Sequence, residues 1–400
     1  MNNIRYPFDW QKVSLEDICC INRYSLTEKT SKDYKFQYID LSSVNKGKIT
    51  FSNQYMFFKD APCRARRIIH QNDIIISTVR PNLKGFAFID FNATDFICST
   101  GFAVLTAKEN VSNKYVYQLL YSKEIETQIN NMLVGSNYPA INSSDVASLK
   151  IFLPPLPEQE KIAGILGTWD EAIEKLSDLI EQKKVLKKGL MQKLLTGKTR
   201  LSGFTQPWRE VKLGEICKLE TANSKSSLII ENGKYCVIDM GAVSSEAALI
   251  STKKTNSNED LLDVNDVVMP KDDIGGGNII GKTAIIKQDN TYVLSDHVFK
   301  LKIHKANPTF ISYLINSYQY NKYMRRMSCG SAILGLSKKD VEKCLLYIPD
   351  DISEQQAIAD VLSTADNEIN LLNQKLEALK AQKKGLMQKL LTGQIRVKVN

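Results

Sequence analysis

The sequence predicts a mixed α/β chain built twice over. A globular module is followed by a long helix, and the same pair then recurs, so that the two helices can pack as an antiparallel coiled coil in a pseudo-two-fold molecule. Three observations carry this. A long segment repeats at a fixed offset, its apolar residues step by three and four, and the stretches between the copies mix strand-forming runs with helical ones.

The repeat comes first. Lys187-Lys188-Gly189-Leu190-Met191-Gln192-Lys193-Leu194-Leu195-Thr196-Gly197 recurs letter for letter at 383–393, an offset of 196. Extended upstream without a gap, 158–197 against 354–393 gives 22 identities in 40 positions. The rest repeats faintly. Trp10, Val13, Leu15, Ile18 and Cys19 match Trp208, Val211, Leu213, Ile216 and Cys217. Asn72-Asp73 matches Asn265-Asp266, Gly135-Ser136 matches Gly330-Ser331, and Asp145-Val146 matches Asp340-Val341. Between these anchors the copies diverge, which is the pattern of one frame presenting two different surfaces.

The strongly repeated segments read as helices. Ile162, Leu166, Trp169, Ile173, Leu176, Leu190 and Leu194 form one apolar seam. Ile358, Leu362, Ile369, Leu372, Leu376, Leu379, Leu386 and Leu390 form the other. Such spacing is that of a coiled coil, in which helices pair through a narrow stripe. Lys183, Lys187 and Lys383 fall on these seams, where the contact is expected to loosen. Each helix follows a proline or acidic stop and ends at Thr-Gly, a C-terminal signal. About 38 residues at a rise of roughly 1.5 Å give a rod of about 55 Å. The chain therefore divides into a first module at 1–152, a central helix at 153–199, a second module at 200–350 and a C-terminal helix at 351–400.

Within the modules, Ile74-Ile75-Ile76-Ser77-Thr78 and Phe86-Ala87-Phe88-Ile89 predict strands around the turn 80–85. Val267-Val268-Met269 and Thr283-Ala284-Ile285-Ile286 bracket the loop 271–278 in the same way. A strand then leads into a helix in both modules, 102–105 into 113–122 and 298–303 into 308–318.

Composition sets the outer limits. Four hundred residues with 43% hydrophobic content fill two or three ordinary cores. No run of eighteen apolar residues exists, and Met1–Pro7 lacks the apolar stretch of a signal peptide, so a cytoplasmic protein without membrane contact is expected. Eight scattered cysteines without a CxxC, and only three histidines, give neither a zinc pattern nor a disulfide framework. The net charge of +9 is shared between the halves, as expected if both face one polyanion.

Catalytic patterns are present only in form. Gly276 to Thr283 satisfies GxxxxGK[ST], but Asp272-Asp273 precede it and a strand follows it, where a phosphate loop needs a helix. Asn307-Pro308-Thr309-Phe310 is similar to the base-holding motif of amino-methyltransferases but lacks its second proline. A helix cap explains it. Pro349-Asp350 is not followed by the [DE]-x-K of a nuclease, and no nucleophile pair is visible. No catalytic, metal or cofactor site is expected in this chain.

At this point the residues resemble a known family, the specificity subunits of type I restriction–modification systems. The motifs that carry the resemblance are Leu153-Pro154-Pro155-Leu156-Pro157-Glu158-Gln159, its partner Ser353-Glu354-Gln355, and the paired Lys-Gly-Leu-Met-Gln-Lys-Leu-Leu-Thr-Gly. The Trp-x-x-Val-x-Leu start and the stretch 72–82 add to them, and together they span essentially the whole chain. In the second copy Pro349-Asp350-Asp351 replaces the proline-rich run and leaves that helix start open.

The resemblance implies two target-recognition domains, each reading half of a split site in double-stranded DNA. It implies helices that set the unread spacer and dock two methyltransferase subunits, in which S-adenosylmethionine is the methyl donor. It leaves open whether restriction motor–nuclease subunits join. The residues that would meet DNA are the donors of the divergent loops, because Arg, Lys, Asn and Gln read base edges while basic side chains also hold phosphates. In the first module these are Arg64, Arg66, Arg67, Arg80, Asn82, Lys84, Asn137 and Tyr138. In the second they are Lys271, Asn278, Lys282, Arg325 and Arg326, with Asp272 or Asp273 as an acceptor from cytosine. The competing reading is a coiled-coil scaffold with protein-binding modules, which explains the helices but not two like frames with divergent basic loops.

Overall fold

The structure is a computed structural model and describes residues 6–135 and 137–399. The chain separates into two compact units, one made of 1–177 with 374–400 and the other of 178–373. Each unit thus holds one globular module, the beginning of one long helix and the end of the other. The helices run Leu156–Leu194 and Ile352–Leu390, 39 residues each, so the second starts just past its acidic stop.

In the first unit, Cys19–Ile21, Phe102–Ala107, Ile74–Ser77 and Phe86–Phe88 form a four-stranded antiparallel sheet in that order. A second sheet orders Tyr55–Phe57, Lys35–Ile39, Phe96–Ser99 and Ala65–Ile68, with its two central strands parallel. The unbroken isoleucines of Ile74–Ser77 follow from burial on both faces, since alternate residues of a strand point to opposite sides. Ile74 and Ile76 face a core with Tyr115, Val116, Leu119 and the helix residues Ile162 and Leu166. Ile75 faces the core that joins the two sheets, with Ile39, Ala87 and Cys98.

The second unit repeats the plan. Cys217–Glu220, Val298–Ile303, Val267–Pro270 and Ala284–Ile285 form one sheet, and Ile229–Ile230, Lys254–Thr255, Tyr235–Ile238 and Tyr292–Leu294 the other. Val267 and Met269 face the helix-side core, and Val268 faces the core that joins the sheets. The repeated Asn-Asp has a local cause. Asn72 and Asn265 turn the chain at φ +72° and +73°, a conformation that asparagine tolerates. The following Asp73 and Asp266 carboxylates accept the amides of His70 and Asp263, three residues back, both at 2.8 Å.

The repeated Glu-Gln at each helix start ties module to helix within its unit. Buried Glu158 accepts from Trp10 Nε1 at 3.2 Å and Arg396 Nε at 2.7 Å. Buried Glu354 accepts from Trp208 Nε1 at 3.4 Å and Arg200 Nε at 2.5 Å. Gln159 bridges the Ser112 amide and the Pro154 carbonyl, and Gln355 bridges those of Asn307 and Pro349 in the same way. The start motif is therefore a polar latch, fully satisfied and shielded from water.

All fifteen seam residues are buried or half-buried. Within each unit the helix segments run antiparallel. In the first, Ile162, Ala163 and Leu166 share a core with Met387, Leu390 and Leu391, while Asp170 meets Lys383. In the second, Lys183 pairs with Glu368 at 2.6 Å and Lys187 with Asp366 at 2.5 Å. The seam lysines therefore do not loosen the pairing as expected. Asp170 holds Lys383 at 2.5 Å and Gln118 of the module at 2.8 Å. Asp366 holds Lys187 at 2.5 Å and Tyr313 at 2.6 Å. The equivalent carboxylates occupy equivalent three-way junctions.

Two local expectations are corrected. The helix expected over 308–318 ends at Asn316, because Ser317 adopts an extended backbone (φ −64°, ψ 157°) and opens a further helix, Tyr318–Met327. The strand expected to begin at Thr283 is Ala284–Ile285. Buried Thr283 instead anchors the loop by donating to the Ser312 carbonyl at 3.0 Å.

Candidate nucleic-acid interface

In each module the loop after the central strand meets a hairpin that carries the repeated Gly-Ser. In the first, Val79 bridges Ala140, and Ala140 bridges Val134. In the second, Asp272–Asp273 pairs with Leu334–Gly335, and Gly335 bridges Cys329. Ser136 lies outside the described residues. The frame is shared, and what it presents is not.

The first module's turn is a single 3₁₀ turn, Pro81–Leu83, between two left-handed residues, Arg80 at φ +48° and Lys84 at φ +58°. That places exposed Asn82 at its crest. The Arg80 amide donates to Pro139 O at 2.7 Å, its Nη2 donates to Asn137 O at 3.1 Å, and its guanidinium lies 4.4 Å from the Tyr138 ring centroid. Stacking on an aromatic face fixes a guanidinium plane while leaving its edge for hydrogen bonds. Tyr138 is 70% exposed, and Arg80 and Asn137 are exposed as well. The structure thus brings Arg80 together with Asn137, 57 positions further on, and its neighbour Tyr138. Lys84 instead pairs with Glu126 at 3.3 Å.

The arginine strand is less uniform. Arg64 is exposed, while Arg66 stacks 4.7 Å from the Phe58 ring and donates to its neighbour Ala65 O at 2.9 Å. Arg67 turns inward to Ser25 at 3.0 Å, and its buried Nε has no partner among the described residues. The Arg64 carbonyl accepts from Thr100, and the neighbouring Gly101 carbonyl accepts from Thr78, both at 2.8 Å, which ties this strand to the segment leading into the turn.

In the second module, half-buried Lys282 sits beside exposed Arg325. Burial and that neighbouring guanidinium lower the pKa of the Lys282 ammonium below its ordinary value. Lys271 lies 5.9 Å from the Phe299 ring, and exposed Asn278 donates to Gly275 O at 2.7 Å. Arg326 is exposed. Asp273 is buried and accepts the amides of Gly275 and Ile279 at 2.5 and 2.8 Å. A phosphate loop would offer its amides to its ligand; here a carboxylate already holds that of Ile279 together with the Gly275 amide just before the loop, and the strand Ala284–Ile285 follows. Asp272 engages His297 Nδ1 at 2.8 Å. Asn307 accepts the Phe310 amide at 2.9 Å, so the Asn-Pro-Thr-Phe stretch is a helix cap. Sequence reasoning missed the Glu–Arg–Trp latches, although their signal was present in the buried-polar letters of the strongest repeat.

A duplicated α/β frame with divergent basic loops and a shared helical latch defines a bipartite recognition protein. The type I restriction modification DNA specificity domain family matches residues 7–182 and 205–381, and the chain belongs to that family. It is 26% identical to the type I restriction enzyme MjaVIII specificity subunit of Methanocaldococcus jannaschii, over 100% of this chain and 96% of that protein. It is 28% identical to the HindI specificity subunit of Haemophilus influenzae, over 42% of this chain and 36% of that one. Its fold is similar to the crystal structure of a type I S subunit from M. genitalium, with a TM-score of 0.64 at 18% identity over 98% and 97% of the chains. It is also similar to a chain from a solved type I restriction–modification assembly, with a TM-score of 0.59 at 22% identity over 98% and 100%. The chain is a DNA-specificity component without a catalytic role. No helix among the described residues is long and apolar enough to cross a membrane.

Proposed function

We propose that the first module reads one half of a split DNA site and the second module the other, while the long helices set the spacer and dock two methyltransferase subunits. The observation that carries this is the contrast between copies: the latch Glu158–Trp10–Arg396 recurs as Glu354–Trp208–Arg200, whereas the loops on the same frame differ in every DNA-facing candidate. Identical framework suits identical partners, and divergent loops suit different base sequences. On this reading S-adenosylmethionine belongs to the methyltransferase subunits. The domain limits follow as recognition at 1–152 and 200–350, with helices at 153–199 and 351–400.

Within the first module, Arg80 reads a base edge in the major groove, steadied by Tyr138 and flanked by Asn82 and Asn137. Arg64 and Arg66 take phosphates. In the second, Lys282, Arg325, Arg326, Asn278 and Lys271 play the corresponding parts. The test is a gel shift and footprint with the chain and its methyltransferase partner across a salt series. Protection of one split sequence, weakening with salt, is the expected result. Absence of any protected sequence in the full complex would leave the protein-scaffold reading in its place.

A further inference from the structure

We propose that Asp239, Asp296 and His297, in the second module, form a binding site for one zinc ion, which holds the two strand ends from which they project. Each offers a donor atom, and the three donors lie within 4.8 Å of one another. Small side-chain rotations close that spread to the roughly 3.4 Å between tetrahedral zinc ligands.

The placement follows from topology. Tyr235–Ile238 and Tyr292–Leu294 are parallel neighbours, with Ile238 opposite Leu294. Asp239 and the pair Asp296-His297 therefore leave the same edge of the sheet. Sequence spacing hides such a site, since its ligands stand 57 residues apart and follow no CxxC or HxxxH pattern.

The donor chemistry suits a cation. Asp239 is only 6% exposed, and its Oδ1 is buried with no hydrogen-bond partner among the described residues. Its other oxygen meets Lys253 Nζ at 2.7 Å. His297 Nδ1 lies 2.8 Å from Asp272 Oδ2, while Nε2 faces Asp296 Oδ2 at 3.7 Å. A carboxylate on one ring nitrogen fixes the tautomer that presents the other nitrogen to a metal. With the imidazole neutral, three carboxylates and one ammonium leave a net charge of −2, which a divalent ion cancels. One nitrogen and two oxygens, with a fourth position open to solvent, form a set that zinc accepts.

The chain carries its own control. In the first module the corresponding parallel strands are Lys35–Ile39 and Phe96–Ser99, with Ile39 opposite Cys98. Asp40 there stands where Asp239 does. Its Oδ1 accepts from the Ser43 amide and from the Ser42 and Ser43 hydroxyls, each at 2.8 Å. Thr100 and Gly101 stand where Asp296 and His297 do. The first copy satisfies its aspartate from within and offers no second ligand. The second copy leaves the aspartate oxygen open and adds two donors beside it.

The experiment uses the full chain, stripped with chelator and with accessible thiols blocked by iodoacetamide so that cysteines cannot compete. Titration calorimetry with Zn²⁺ and metal content after gel filtration are the readouts. One equivalent per chain is expected. His297→Ala and Asp296→Asn should abolish it, and Asp272→Asn should weaken it by about 10- to 100-fold. Lys253→Gln should tighten it, because the competing ammonium is gone; a merely structural Lys–Asp pair would lose stability without any change in zinc affinity. Circular dichroism reports folding, and half-exposed Asp296 serves if the His297 variant does not fold. No zinc on the blocked wild-type chain, or zinc retained by both ligand variants, overturns the site.

Discussion

Arg200 grips Glu354 with two parallel hydrogen bonds, Nε to Oε1 at 2.5 Å and Nη2 to Oε2 at 2.6 Å, and Glu354 has no exposed surface. A buried carboxylate is tolerable only while its partners stay in place, and stranding one costs about 3–5 kcal/mol. Arg200→Ala should therefore destabilise the second unit strongly, while Arg200→Ala with Glu354→Gln recovers much of the loss. Arg396 and Glu158 should behave alike in the first unit. Denaturant midpoints for the single and double variants decide it. Additive losses at either latch would mean that the arginine acts apart from the glutamate.

The latches also show what sequence could and could not disclose. The helices were legible because their stabilising contacts are periodic and local, and the seam from Ile162 to Leu194 shows its spacing in the letters. The Asn-Asp turns were legible because left-handed backbone and a carboxylate three residues downstream of its amide are short-range facts. Arg396 meets Glu158 across 238 positions, and Arg80 meets Tyr138 only after the hairpin at 134–140 folds back on Val79. No local pattern specifies such pairings. The seam lysines misled for the same reason: Lys187 on an apolar stripe signals a defect until Asp366 is seen opposite it.

The buried cysteines give a prediction in pH. Burial pushes the thiols of Cys19, Cys217 and Cys344 up to about 12 from an ordinary value near 9. The thiolate is the nucleophile, so these three should resist iodoacetamide at pH 8, while exposed Cys63 and Cys329 react. Above about pH 9 the unfolded chain releases these protons, whereas the folded chain holds them until about 12. The folded state then binds more protons, and stability should fall as pH rises through that window. Peptide mass mapping and thermal melts from pH 8 to 11 check both parts; early labelling of Cys217 in the folded chain contradicts them.

Arg80 supplies a test of half-site reading. Its guanidinium stacks on Tyr138 and its backbone is held in a left-handed turn, so Arg80→Ala removes a pre-positioned donor from an already exposed loop. Loss of a base contact costs about 1–3 kcal/mol, or roughly tenfold to a hundredfold in affinity. That loss should fall on one half-site, with the salt dependence of binding nearly unchanged. Arg64→Ala, if it holds a phosphate, should weaken every sequence alike and reduce the salt slope by about 1. Competition binding against libraries randomised in each half-site separates the two. A uniform loss for Arg80→Ala would assign it to the turn and not to recognition.

The spacer prediction concerns the helices themselves. Seven residues inserted after Ser177 and seven after Asn373, positions that correspond at the 196-residue offset, keep the apolar seam in phase because a heptad is the coiled-coil repeat. They lengthen each helix by about 10 Å. With base pairs rising about 3.4 Å each, the preferred spacer should grow by about three. The three-way junctions Asp170–Lys383–Gln118 and Asp366–Lys187–Tyr313 lie outside the inserted points and should survive, so thermal stability serves as the control for folding. Mapping the methylated sites with the variant in place of the parent gives the new spacer directly. A folded variant that still directs methylation only to the parental spacing shows that something other than helix length sets it.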